Sequence, residues 1–444
     1  MKLTAQRRLL GLGVIILVAL VTCSRSSIGG RAFLIAIGIA GIAYLLAVRE
    51  FLRTPGFPRH VIFICLALAA LWRIPFLLTP PGADDDIHRY LWDGRLQRLG
   101  YNPYNVIPAD PAVAWLHTPE TRTLNNPEVP SPYPAGAQLF FRMVTAIHES
   151  IFALKIAFVM CDIAIVLLLM NILRRNGQGE NWVLAYAWHP LLATNVAGSG
   201  HVDIVGVLLL LVSLAALGRR WKTIAAIAFA LAVSIKFLPL VLAPLYWRRV
   251  RIRDGVLAGV VFVLLYVPFF EYGRVPIGSL GTYVQSFRFN APLFTALERV
   301  ASPQTVAALA VLLGLLTAGW LRTRQQVCWG DKWAWPMAAS LACAPVIYPW
   351  YLLWLLPFLS STSTVPLAVW TVSILPTYLV WHLRSLGYVW QLPRWVLLLE
   401  YGSVAIAAAI VLLRRTAGPV QQPAPEEVSP ATYGPVTGPT RDAG

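Results

Sequence analysis

Residues 60–104 read HVIFICLALAALWRIPFLLTPPGADDDIHRYLWDGRLQRLGYNPY, and the junction inside this stretch decides the fold. The apolar run 60–79 is as long as a helix that crosses a bilayer, which needs about 20 residues. Directly behind it come three consecutive aspartates, then arginines, a histidine, a fourth aspartate and four aromatics. An acid-rich segment emerging from such a run stands at the edge of a membrane. It points to chemistry at the bilayer surface rather than to conduction through it.

The rest of the chain agrees. Hydrophobic residues make up 57% of the 444 positions and charged residues 13%. A soluble domain has about a quarter of its residues charged, so the surplus of apolar surface needs lipid. Runs at 151–173, 255–270, 303–321 and 395–413 reach or approach spanning length. They are continuous rather than alternating, which excludes a β-barrel. The net charge of +16 is carried by short clusters between runs: Arg174-Arg175, Arg219-Arg220 with Lys222, Arg248 to Arg253, Arg322 with Arg324, and Arg414-Arg415. That distribution is the positive-inside pattern of cytoplasmic loops touching anionic lipid, not a nucleic-acid surface. The five cysteines form no C-x-x-C pair and read as small buried residues.

These signals predict an all-α, polytopic helical membrane protein with about 12 to 14 transmembrane or re-entrant helices. The segment 80–138 holds seven acids against four arginines and is expected outside the cell, as a large first loop of short helices and turns. Residues 136–148 show helical spacing and are expected to lie on the interface. The run 223–247 has basic clusters at both ends, so both ends belong on the cytoplasmic side. A re-entrant hairpin turning near Ile235-Lys236-Phe237 satisfies that condition. Residues 1–415 form one transmembrane unit, and 416–444, rich in Pro, Gly, Ser and Thr, form a disordered cytoplasmic tail. The expected location is the cell membrane, multi-pass, with the active site outside.

With that topology several polar groups fall at one depth: Asp84, Asp85, Asp86, Arg89 and Asp93; His189, His201 and Asp203; Lys236; Arg274 and Arg288; and Tyr348, Trp350 and Tyr351. Each has an ordinary alternative. Three aspartates make a solvated turn, Asp203 a helix cap, Lys236 a snorkelling cation and the aromatics an interfacial belt. Asp162, alone in an apolar run, suggests a helix–helix hydrogen bond. The functional case rests on convergence. Paired carboxylates deprotonate a hydroxyl nucleophile, and cations opposite them stabilise a departing phosphate. No P-loop, G-x-G-x-x-G turn or H-E-x-x-H helix is present, so an activated lipid phosphate suits the site better than a nucleotide.

The ordered motifs carry a resemblance. They are Asp85-Asp86; Arg89-Tyr-Leu-Trp-Asp-Gly94; Gly100-Tyr-Asn-Pro-Tyr104; Asn125-Asn126-Pro127; Tyr133-Pro-Ala-Gly-Ala-Gln138; Gly198-Ser-Gly-His201-Val-Asp203; Lys236-Phe-Leu-Pro239; and Tyr348-Pro-Trp-Tyr351. This series resembles membrane glycosyltransferases of the GT-C superfamily. In particular it is similar to the polyprenyl-phosphate-mannose-dependent mannosyltransferases of glycosyltransferase family 87 and their bacterial relatives. Two positions depart from that pattern: Asn126 stands where histidine is expected and Ala135 where a second proline is. The resemblance implies an inverting transfer of a sugar, mannose by expectation. The donor would be a polyprenyl-phosphate sugar and the acceptor an envelope glycan or glycolipid, on the extracytoplasmic side. It places the catalytic aspartate at Asp85 or Asp86 and the donor phosphate near Arg89, His201 and Lys236. Arg288 joins them as a phosphate-binding candidate. Asp84, Asp93, Tyr133, Asp203, Tyr348, Trp350 and Tyr351 are the substrate-positioning candidates. No metal or cofactor is expected, although Asp84–Asp86 have the chemistry to hold a divalent ion. Two rival readings are a transporter or flippase of lipid-linked sugars and a scaffold that binds an envelope lipid.

Overall fold

The computed structural model describes residues 2–54, 56–82, 86–271, 275–324 and 327–416. It is 74% helical and has no strand among those residues. One isolated parallel bridge joins Phe289 and Val346. The helices are α1 (Lys2–Ser24), α2 (Arg31–Arg53), α3 (Arg59–Leu77), α4 (Asp86–Arg98), α5 (Ala135–Ile147), α6 (Ile151–Arg175), α7 (Val183–Ala187), α8 (Asp203–Gly218), α9 (Lys222–Ile235), α10 (Ile252–Tyr266), α11 (Leu280–Ser286), α12 (Pro292–Leu297), α13 (Pro303–Thr323), α14 (Trp329–Ala342), α15 (Val365–Ser373), α16 (Leu379–Ser385) and α17 (Arg394–Thr416). The expected tail lies beyond Thr416, outside the described residues.

Among the described residues eight helices are long and apolar enough to cross a membrane. A ninth span arises if the π-helical turn Leu192–Gly198 and α8, bent by 110°, count as one. The larger expectation of 12 to 14 counted every apolar run, re-entrant pieces included. Several runs are short or broken because proline lies inside them. Pro190 precedes the π turn, Pro239 and Pro244 turn Leu238–Tyr246 into a 3-10 helix, and Pro349 and Pro357 divide the run after Ile347. Each of these prolines removes a backbone donor and fixes φ, which breaks or kinks an α-helix, although α3 and α14 accommodate Pro75 and Pro336.

The core is apolar, as in a soluble protein, but much of the outer surface is apolar too. Ile35, Ile39, Ile42 and Leu46 of α2 are exposed, as are Leu309, Leu312 and Leu316 of α13. Rows of large apolar side chains facing outward require lipid. A few charged groups are buried among these apolar side chains. Arg73 of α3 donates to Asp162 of α6 at 2.6 Å, and both are buried. The Tyr186 hydroxyl donates to the other carboxylate oxygen at 2.7 Å. Asp162 is therefore not a lone group but half of an ion pair. Lys155 of α6 donates to the carbonyls of Phe76 and Thr79 at 3.0 and 2.6 Å, tying down the chain that leads to the aspartates.

The expected hairpin is present. α9 runs inward to Ile235, Lys236 is extended, and the 3-10 helix Leu238–Tyr246 brings the chain back. Lys222 at its start and Arg248 and Arg249 at its end line one cavity. α5 packs on α4, with Phe141, Val144 and Thr145 in its buried face and Met143 and Ile147 exposed. The cysteines are all free, but only Cys23 and Cys65 are buried; Cys328 is exposed.

Candidate functional site

α8 and α9 form an antiparallel pair, so the first residue of one and the residue just past the other meet at the same end. The Asp203 carboxylate accepts from the Lys236 ammonium at 2.6 Å and from the Trp354 indole at 2.7 Å. Gly206 makes the second contact possible: a Cβ there would lie 2.3 Å from the Trp354 ring. Asp203 does not cap its helix, because the N-cap is Val202. Lys236 does not snorkel either. Its ammonium sits 3.3 Å from the centroid of the Tyr351 ring, and the Tyr351 hydroxyl shares a 2.5 Å hydrogen bond with that of Tyr283.

His201 precedes this pair. The left-handed turn at Gly200, φ 74°, carries it there, and a Cβ on Gly200 would meet Ile87 at 2.5 Å. Glycine is the residue that adopts that conformation without strain. The imidazole is fully buried and stacks on Trp350 at 3.9 Å between centroids. Trp350 stacks on Tyr348 at 4.4 Å, and Tyr348 on Phe289 at 4.6 Å. The column ends at His201, whose Nδ1 lies 3.6 Å from Asp86. Asp86 opens α4 and accepts from the Asn125 amide at 2.5 Å. Its charge also reaches Tyr133, whose phenol is held well above its ordinary range by burial first and by Asp86 second.

Asp86, His201, Asp203, Lys236, Tyr133 and the aromatics 348, 350 and 351 therefore form one cluster. Asp84, Asp85 and Arg274 lie outside the described residues. The remaining candidates have partners of their own. Arg89 turns one nitrogen to the carbonyls of Asn125, Asn126 and Val129, at 3.2, 2.7 and 3.0 Å. Asn126 is left-handed, φ 46°, a conformation in which asparagine is common. Arg89 thus ties down the loop that holds Asp86, while its second terminal nitrogen is buried with no hydrogen-bond partner among the described residues and its charge reaches Tyr133. Arg288 is bound to Glu298 at 2.7 Å and to carbonyls of its own turn. His189 is a core residue between Tyr44 and Thr371. Nothing in the sequence gives Asn125, Tyr283 or Trp354 a role; their hydrogen bonds to Asp86, Tyr351 and Asp203 single them out.

Asp93 is buried between α4 and α5, where Ser131 and Gln138 donate to one oxygen. Its other oxygen has no hydrogen-bond partner among the described residues. Burial raises its carboxyl from an ordinary 3.8 to about 6, against the nearby Arg89 and the two donors. The folded protein therefore keeps a proton there that the unfolded chain loses between these values. Its contribution is complete below the unfolded value and is lost as pH rises through the folded one, about 3 kcal/mol in all. Thermal unfolding in detergent from pH 4 to 8 measures this: Asp93→Asn removes that component of the pH dependence.

A bundle of apolar helices with a carboxylate, a histidine and a lysine–aspartate pair gathered where several helices end is a polytopic membrane protein with the groups of a transferase. Residues 10–250 match the family model described as alpha-(1->6)-mannopyranosyltransferase, N-terminal domain. That is more than half of the chain, and the chain belongs to this family. It is a glycosyltransferase that transfers mannosyl groups. The match includes Asp86, His201, Asp203 and Lys236 but ends before the 348–351 turn. No curated protein matches the chain.

Proposed function

We propose that the protein transfers mannose, with inversion, from a polyprenyl-phosphate donor to a glycan or glycolipid acceptor at the extracytoplasmic face of the cell membrane. The observation that supports this most is the meeting of Asp86, His201, Asp203 and Lys236 beside a wall of aromatic rings. Asp85 or Asp86 takes the acceptor's proton as its oxygen attacks the anomeric carbon. The bond to the phosphate breaks, and the departing phosphate shares Lys236 with Asp203. The lipid tail lies along the apolar helices, where a soluble nucleotide sugar gains nothing. The 1,6 linkage named for the family is the expected product.

The test is transfer by purified protein in nanodiscs, with polyprenyl-phosphate mannose compared with nucleotide-linked mannose and products read by mass spectrometry. Only the lipid donor is expected to react; efficient use of the nucleotide donor overturns the reading. Removing one preorganised charge from a leaving group lowers turnover by roughly 10²–10³-fold, and Lys236→Ala is expected to do so. If the ion pair with Asp203 were merely structural, Lys236→Ala combined with Asp203→Asn would regain the activity of Asp203→Asn alone.

Topology has its own test. A cysteine replacing exposed Asp110 is expected to react with an impermeant reagent in intact cells, whereas exposed Cys328 reacts only after permeabilisation. The opposite pattern moves the site to the cytoplasmic face.

A further inference from the structure

At the other end of the α8–α9 pair, one helix length away from Asp203 and about 24 Å by the α-helical rise, a second polar site appears. A cavity of about 680 Å³ opens there, lined by Arg175, Arg220, Lys222, Arg248, Arg249 and Lys332. Among the described residues none of these six forms an ion pair. The acids nearest in sequence make other contacts: Glu180 pairs with Arg174 and Arg59, Asp331 accepts from Ser361 and Ser363, and Asp254 from Thr223 and the Arg251 backbone.

Cytoplasmic basic residues ordinarily need no ligand, since they orient the chain and complement helix C-termini. Arg175 at the end of α6 fits that account. Lys222 and Lys332 do not. They stand in the first turns of α9 and α14, where the helix dipole disfavours a cation and favours an anion. Burial, reinforced by neighbouring cations, pushes Arg249 and Lys332 below their ordinary values. The backbone adds an independent observation. Arg220 and Arg248 both have φ of 60°. Arg220 follows α8 in a turn where its N–H donates to Leu217 and that of Trp221 to Ala216. Such positions favour glycine. Arginine stands at both, and both arginines line the cavity.

We propose that this cavity binds a phosphate-bearing anion, either the headgroup of an anionic lipid or a soluble polyphosphate compound, at a site separate from the transfer site. Arginine at the two left-handed positions is then explained by the ligand, because the fold itself would be better served by glycine.

The test uses the full-length protein in phosphatidylcholine nanodiscs. Inorganic pyrophosphate is titrated into one sample, and phosphatidylglycerol is included at increasing fractions in another. Thermal unfolding is followed in both, and retained lipid is identified by native mass spectrometry. A raised midpoint with pyrophosphate marks the soluble source; a raised midpoint with retained phosphatidylglycerol alone marks the lipid. Arg220→Gly with Arg248→Gly is expected to keep or raise the midpoint without ligand, since glycine suits both turns. The same pair weakens the response about tenfold or more, as two charge-assisted contacts are lost. Lys332→Gln, which leaves both turns intact, weakens it in the same direction. No response to either probe by the parent protein overturns the proposal. So does an undiminished response in both the double glycine and the Lys332→Gln variants.

Discussion

Asp86→Asn lowers mannosyl transfer by about 10²–10⁴-fold, the range lost with a general base, if Asp86 is the proton acceptor; if Asp85 is, the same loss falls on Asp85→Asn. The substitution suits Asp86 because it changes little else. Asparagine has the same shape and keeps the oxygen that accepts from the Asn125 amide. Proton acceptance is lost, together with the negative charge facing His201 at 3.6 Å. Turnover should therefore fall while KM for the lipid donor and the unfolding midpoint move little. Asp84→Asn is expected to have the smaller effect of the three. Purified variants, saturating donor and mass-spectrometric product counting provide the measurement. Parental rates in both Asp85→Asn and Asp86→Asn would reduce the aspartates to a solvated turn and end the proposed mechanism.

Asp162→Leu destabilises the protein by about 3–5 kcal/mol, because it strands a buried guanidinium without its counter-charge. Arg73 is 5% exposed and Asp162 1%, so water cannot replace either partner. Arg73 retains only the carbonyls of Ala69 and Ala187, at 2.6 and 3.2 Å, and the Tyr186 hydroxyl loses its acceptor. Arg73→Leu leaves the opposite charge uncompensated and should cost about as much. The pair Arg73→Leu with Asp162→Leu is the informative one. Replacing both charges of a buried pair by apolar side chains is often neutral or stabilising, so most of the loss should be recovered. Unfolding of the four proteins in SDS titrations closes the cycle. Additive losses in the double variant would mean that the two side chains act independently and that their contact is incidental.

Much of this architecture was legible because it is set by partition between water and lipid, a property of local composition. The run 60–79 became α3, Arg59–Leu77; 151–173 became α6, Ile151–Arg175; and 303–321 became α13, Pro303–Thr323. The hairpin around Lys236 was legible for an electrical reason, since cations at both ends of one apolar run require the chain to turn back. The glycosyl-transfer class was legible too, from an ordered set of short motifs whose spacing survives in the linear chain.

Which polar groups meet was decided only in three dimensions. Arg73 and Asp162 are 89 positions apart, and no local pattern pairs them. Buried Glu400, which accepts from Asn290 at 3.0 Å and Trp370 at 2.7 Å, drew no attention in a run that reads as apolar. Arg89 and Arg288 carry the charge a phosphate wants, and no local pattern shows that one nitrogen of Arg89 is held by three carbonyls or that Arg288 pairs with Glu298. The ring column from Phe289 to His201 joins a loop to a turn about ninety residues earlier. Partition into lipid depends on each segment alone, so the sequence by itself determined the long unbroken spans such as α3, α6 and α13, the hairpin and the residue types of the site. A side chain's partner depends on how each helix is rotated about its axis, and packing against segments distant in the chain sets that rotation. Tertiary structure alone could therefore place Asp86 against His201, Asp203 against Lys236 and Arg288 against Glu298.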